Sequence, residues 1–464
     1  LLAIARKLSG VPRRTVTAAA VIATFGCAVA AVAAVSGAPG LGDPYFPGAG
    51  NGGYDVGHYA LDLDYAPDTG KLKATATITA TASEELSAFN LDYRGPHVLS
   101  VSVDRYAASF ERAGDELTVT PVTPISLGSQ FTVEVAYRGR PGPITDEDSS
   151  QEGWIRTDDG AFVVGEPRGA PTWFPCNDHP TDKATFRFRV TVPRGVEAVA
   201  NGSLIRRRPH GERVTWSYAE DQPMATYLAT ATIGNFRIER STFGGIESLI
   251  AVDPREARAA KGPLSRIERM THLFSRLFGP YPFGQTGAIV DRAPAVGYAL
   301  ETQTRPLYES APDEITVAHE LAHQWFGDSV SVQRWQDIWL NEGFATWAEW
   351  RWAEEAGGST TAQVFKKLQE TPADREGLWD PPPGDPGGPL NLFVNSVYVR
   401  GGMALEALRQ RIGDAAFYAT LRAWTAGYAY GNATTDEFIA LAEAQSGEDL
   451  HSLFQRYLYE PGKP

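Results

Sequence analysis

His319-Glu320-Leu321-Ala322-His323-Gln324-Trp325, with Asn341-Glu342-Gly343 further on, is the stretch that decides how the rest of the chain is read. On a helix, two histidines four residues apart leave one face about a turn from each other and can hold a single metal ion between them. Glu320 lies at the edge of that face. A carboxylate there reaches water beside the metal without ligating the metal itself, as a general base for hydrolysis must. A catalytic zinc also needs a third protein ligand and an open position, and Glu342, with eighteen residues between it and His323, is the candidate. The bland reading is a packed histidine and a solvated carboxylate on unrelated helices. With 8 histidines in 464 residues, the His-Glu-x-x-His spacing alone is expected by chance about once in a hundred such chains, and the trailing Glu342 lowers that further.

The composition narrows the classes around this site. Hydrophobic residues make up 43% of the chain and there are 11 tryptophans, which excludes disorder; the length allows two or three domains. A formal charge of −14 argues against nucleic acid as a partner. Arg6, Lys7, Arg13 and Arg14 precede the apolar run Thr17 to Val35, and Ser36, Gly37 and Ala38 follow, so residues 1–38 are expected to be an export signal or a retained membrane anchor. The protein is then secreted or otherwise extracytoplasmic, with a membrane tether if the anchor is kept. Cys27 falls inside that run, leaving Cys176 without a partner in the mature chain; an internal disulfide is excluded and stability must come from packing and metal.

Residues 39–53 are rich in Gly and Pro and read as a linker. From 54 to 243 the pattern is short alternating runs such as Tyr59–Tyr65, Thr75–Thr81, Phe131–Tyr137, Phe186–Val192 and Tyr227–Ile233, separated by turn residues. This predicts an antiparallel β domain. Helical spacing dominates from 244 to 464. A strand is predicted at Ile246–Val252, a helix over Pro263–Leu277, strands at Ala288–Asp291 and Tyr298–Gln303, the histidine helix over Asp313–Gly327 and another helix over Trp335–Glu355. An irregular loop follows at Asp380–Pro389, then helices at Val397–Ile412, Ala415–Ala426, Thr435–Gln445 and Leu450–Tyr459.

Several further motifs resemble one family. Trp173-Phe-Pro-Cys-Asn-Asp-His-Pro180 with Lys183-Ala-Thr-Phe186, Tyr298-Ala-Leu-Glu-Thr302, the histidine stretch with Trp339-Leu-Asn-Glu-Gly-Phe344, and Tyr398-Val-Arg-Gly401 together resemble the zinc aminopeptidases of the aminopeptidase N and leukotriene A4 hydrolase type. The likeness runs from about Tyr54 to the closing Leu458–Pro464. It implies a multidomain α and β fold: an amino-terminal antiparallel β domain followed by a thermolysin-like catalytic domain. It also implies one zinc ion held by His319, His323 and Glu342, with Glu320 as general base.

The same resemblance supplies roles that spacing alone does not. Glu301 falls at the acidic position of the family's Gly-Ala-Met-Glu-Asn strand, which holds the substrate amine and pairs with its backbone through the Tyr298, Ala299 and Leu300 positions. Tyr298, Leu300 and Thr302 depart from the family's Gly, Met and Asn, so the preferred side chain is left open. Glu166, eight residues before Pro175, matches a second acidic group for the amine, and Tyr398 matches the tyrosine whose hydroxyl meets the oxyanion. The expected partners are peptides with a free amino terminus. A thermolysin-like endopeptidase, an epoxide hydrolase and a non-catalytic peptide-binding relative are the rival readings. Many relatives add a helical carboxy-terminal domain over the cleft; this chain stops before it, and an open site is expected. Cys176 and His179 are assigned to packing, and the basic run Arg206–His210 to a solvated turn.

Overall fold

In the computed structural model, residues 34–145, 149–375 and 377–464 are described; residues 1–33 of the expected leader lie outside the described residues, while Val35–Ser36, at its end, pairs in parallel with Leu86 and Ala88. The amino-terminal half is built on an eight-stranded sheet. At its centre, Tyr54–Ala66 alternates buried and outward residues, with Tyr59, Leu61, Leu63 and Tyr65 turned into the core, so one face of the strand is apolar as a half-buried strand requires. It pairs antiparallel with Lys71–Ala82 on one side. On the other side it pairs with Ala184–Pro193 in parallel, from Thr185 opposite His58 to Thr191 opposite Asp64. That seam departs from the antiparallel expectation. Its two strands lie more than a hundred residues apart, and the intervening strands and sheets form the crossover that parallel pairing needs.

A second, five-stranded sheet contains Gln151–Arg156 and Ala161–Val164, and it carries Glu166 two residues past its end. The run predicted as a strand at Tyr227–Ile233 divides into a 3-10 turn, Thr226–Leu228, and a strand, Ala231–Gly234. Residues 39–53 pack against both halves of the molecule. Phe46, Ala49 and Asn51 are buried, the Trp335 N–H donates to the Asp43 carboxylate at 2.9 Å, and Asn51 donates to Asp92 at 3.0 Å.

The carboxy-terminal half begins with a five-stranded mixed sheet in the order Arg237–Phe243, Ile246–Val252, Gln285–Val290, Leu307–Tyr308, Ala299–Leu300. Ala299–Leu300 is its edge, shorter than the strand expected over Tyr298–Gln303. Helix α1 spans Ala257–Leu264 and α2 spans Ile267–Phe278, in place of the single helix predicted from Pro263; the second buries Ile267, Met270, Leu273 and Phe274 along one face. Helix α3, Glu314–Ala322, starts where the Asp313 carboxylate accepts the Thr316 N–H at 2.8 Å. Helix α4 is Trp339–Glu355, and α5, Thr361–Glu370, follows under a Thr360/Gln363 capping box.

Helix α6 covers Asn395–Gly427 with a break at Gly413, whose φ of 78° interrupts the helix between the two segments predicted at Val397–Ile412 and Ala415–Ala426. Helix α7, Thr435–Ser446, packs beside it. One close approach positions the site. A Cβ on Gly343 would lie 2.8 Å from the Gly401 backbone, so α4 and α6 cross at two residues without side chains. Arg400, fully buried, donates to the carbonyls of Trp379, Arg456 and Glu460 and holds the start of α6 in place. Tyr398, on the same turn, is thereby brought over α3.

Candidate active site

His319 leaves the last turn of α3, and His323 is the first residue past it. Its backbone N–H still bonds the His319 carbonyl at 3.3 Å, so the spacing of the two rings stays helical although the helix is shorter than predicted. Glu342 enters from the first turn of α4, where the helix amino terminus favours a carboxylate. His319 Nε2 lies 3.2 Å and His323 Nε2 3.5 Å from Glu342 Oε2. The opposite nitrogens are spoken for: His319 Nδ1 donates to Glu349 at 2.6 Å, and His323 Nδ1 donates to the Phe326 carbonyl at 3.0 Å. With Nδ1 donating on both rings, each Nε2 faces the point that the Glu342 carboxylate oxygen also faces, and that point calls for a proton or a metal cation.

The electrostatics point the same way. Burial works against a charge on His323, but the Glu301 and Glu342 carboxylates overcome it and push the ring up to about 9. Burial would raise Glu342; His323 and His319 instead pull it down to about 2. The site stabilises positive charge, and its ligand atoms lie within 4.8 Å of one another. Donor types, tautomers and spacing all fit zinc.

Glu349 was not anticipated. It sits seven residues beyond Glu342, two turns along the same face of α4, and that spacing is the signal that could have disclosed it. Removing its charge with Glu349→Gln should weaken zinc binding about 10- to 100-fold while leaving the fold intact, measured by competition with a fluorescent chelator. Unchanged affinity would deny Glu349 a part in orienting His319.

The remaining predicted residues gather around this floor in a cleft of about 390 Å³ lined by Glu166, Tyr298, Ala299, Glu301, Glu320 and Tyr398, together with Thr316 and Phe393. Leu300 does not join them. Strand alternation turns it into the hydrophobic core. Glu320 is buried, and burial pushes its carboxyl up to about 8 against the pull of His319 and His323. Tyr398 stacks beside His319 with ring centroids 5.9 Å apart; burial and then the Glu342 charge hold its hydroxyl protonated, hence a donor.

Glu166 comes from the β domain and Glu301 from the edge strand, yet Oε atoms of these two and of Glu342 fall within 4.8 Å of one another. Burial and then the Glu301 charge push Glu166 well up; burial raises Glu301, with His323 opposing. Oε1 of each is buried and has no hydrogen-bond partner among the described residues. Tyr298 reaches across to the β domain, its hydroxyl donating to the Gln151 carbonyl at 3.1 Å. Cys176 is a buried free thiol, and His179 lies 3.5 Å from Asp43, both outside the cleft.

A metal floor in a helical domain, walled by a carboxylate lent from a β domain, is the architecture of a two-domain metallopeptidase. Residues 56–228 match the peptidase M1 N-terminal domain and residues 299–457 the peptidase family M1 domain. The M1 zinc metallopeptidase from Deinococcus radiodurans, a crystal structure, superposes with a TM-score of 0.85 at 30% identity, over 92% of this chain and 98% of that one. A mutant of the same protein bound to a Tyr-Ser-Ala substrate superposes at 0.83 and 29% identity, over 92% and 99% of the two chains. Aminopeptidase M1 of Arabidopsis thaliana is 31% identical over 342 residues, which are 66% of this chain and 37% of that protein. The chain belongs to peptidase family M1. It spans well under half the length of such curated relatives.

Proposed function

We propose that the chain is a zinc aminopeptidase, which removes the amino-terminal residue from peptides. The observation that carries this reading is the pair Glu166 and Glu301: two buried carboxylates beside the zinc ligands, each with an oxygen left without a partner among the described residues. Two carboxyls this close and this buried disfavour each other's charge unless a cation sits between them, and the ammonium of a peptide's first residue meets that need two bonds from the carbonyl carbon of the amide to be cut. An endopeptidase has no use for them.

His319, His323 and Glu342 would hold a zinc ion, which when bound would supply Lewis acidity toward the scissile carbonyl and lower the pKa of water. Glu320 takes the proton from the attacking water and returns it to the leaving amine. Tyr398 donates its hydroxyl hydrogen to the carbonyl oxygen as negative charge develops there. Ala299, on the open edge of the sheet, offers its backbone to the substrate as an added strand, and Tyr298 closes the rim through its bond to Gln151.

Paired fluorogenic aminoacyl amides, one with a free amine and one acetylated, test the reading. The free form should be preferred by at least about 10³-fold in kcat/KM, since acetylation removes the charge that two buried carboxylates are placed to meet. Comparable hydrolysis of the acetylated form would make the chain an endopeptidase. Loss of neither amide to a protein loaded with zinc would make it a peptide-binding relative.

A further inference from the structure

The amine-binding carboxylate Glu301 stands at the end of a two-residue strand, a slender support for a group on which specificity depends. What holds it is the residue immediately after the second histidine. The Gln324 side chain is fully buried; its Nε2 donates to the Glu301 carbonyl at 3.0 Å, and its Oε1 accepts the Thr304 N–H at 2.8 Å and, more weakly, the Tyr281 hydroxyl at 3.5 Å. One amide thus spans the turn from Glu301 to Thr304 and ties it to the end of the zinc helix. Thr304 occupies a left-handed conformation, φ 66°, which a β-branched residue keeps only when its surroundings impose it.

The other side of the same turn is gripped by the β domain. Asn201 Nδ2 donates to the Gln303 carbonyl at 2.8 Å, the Gly202 N–H donates to the Thr304 hydroxyl at 2.8 Å, and Arg305 donates to the Gly202 carbonyl at 2.8 Å. Gly202 is required there. Its φ is 75° and a Cβ would fall 1.9 Å from the Ala219 carbonyl oxygen. The turn is therefore clamped between the histidine helix and the domain that supplies Glu166.

We propose that Gln324 is a positioning residue for amine recognition: it fixes the Glu301 carboxylate relative to the zinc ligands, and Asn201 completes the clamp from the β domain. Neither residue lines the cleft. The proposal rests on the aminopeptidase reading, because it assigns Gln324 to the selection of a free amine.

The test compares zinc-loaded wild type, Gln324→Met and Asn201→Ala. Methionine keeps the length of the side chain and loses the bonds to Glu301, Thr304 and Tyr281. For Gln324→Met the expected result is full zinc content, a KM for a free-amine amide raised about tenfold, and kcat within about threefold of wild type. Calorimetric binding of leucinamide and of 4-methylpentanamide, which differ only in the amine, measured with each protein also carrying Glu320→Gln so that leucinamide is not hydrolysed, gives the readout that a general structural defect would not move. The advantage of leucinamide should shrink by about the same tenfold in Gln324→Met and about threefold in Asn201→Ala. An undiminished advantage, or equal weakening of both amides, overturns the proposal. If Gln324→Met does not fold, Asn201→Ala decides by the same criterion. If wild type itself shows no advantage for leucinamide, the aminopeptidase reading has failed and the proposal falls with it; wild-type preference retained in the variants defeats the proposal alone.

Discussion

Glu320→Gln protein should bind zinc with full stoichiometry and turn over its substrates about 10³-fold more slowly than wild type, inside the 10²–10⁴ range that a positioned acid–base group contributes. The separation of the two effects follows from geometry. Glu320 lies on α3 between His319 and His323, the latter just past the helix end, but the ligand set closes on Glu342, whose oxygen is the one that both Nε2 atoms face. Glutamine is nearly isosteric, keeps the helix and leaves the Nδ1 bonds to Glu349 and Phe326 untouched. What it loses is the ability to accept a proton. Elemental analysis for zinc beside single-turnover rates makes the comparison. Substantial residual turnover would remove Glu320 from the role of base, and lost zinc would make it a structural member of the metal site.

Tyr398→Phe should lower kcat about 10²- to 10³-fold with little change in KM, the pattern of a donor that meets charge present mainly in the transition state. Its ring stacks beside His319 and packs against the core, and phenylalanine preserves both contacts, so the loss isolates the hydroxyl. Stopped-flow measurement of kcat and KM on a free-amine amide is sufficient. A rise in KM with kcat unchanged would mean that the hydroxyl binds the ground state and does not act on the oxyanion.

Local signals carried much of this far. The Asp313 cap and the two histidines four apart were enough to place the histidine helix, and Gly413 separates two helical segments that the chain reads as distinct. The Tyr-x-x-Gly pattern at Tyr398–Gly401 has a physical cause in the bare crossing with Gly343. What escaped was non-local or masked by composition. The parallel pairing of Tyr54–Ala66 with Ala184–Pro193 joins strands with no local trace of each other. Helix α5 has a capping box at Thr360 and Gln363, but it is short and polar overall, burying only Thr361 and Phe365. The strand expected over Tyr298–Gln303 stops at Leu300 because Gln324, Asn201 and Arg305 hold the next residues in a turn.

The amine site was the least legible part. Nothing in the spacing of Glu166 and Glu301, 135 positions apart, says that they meet; a family resemblance named them, and the two domains bring their carboxylates together. Glu349, bonded to His319, and Gln324, bonded to the Glu301 backbone, carry no motif of their own.

The most direct test of the central claim, that the carboxylates set the cut one residue from a free amino terminus, is the product series from a decapeptide followed by mass spectrometry with the zinc-loaded protein. A ladder in which mass is lost one residue at a time from the amino end is expected, with no cleavage of the acetylated decapeptide. Internal fragments appearing first, from either peptide, would contradict it.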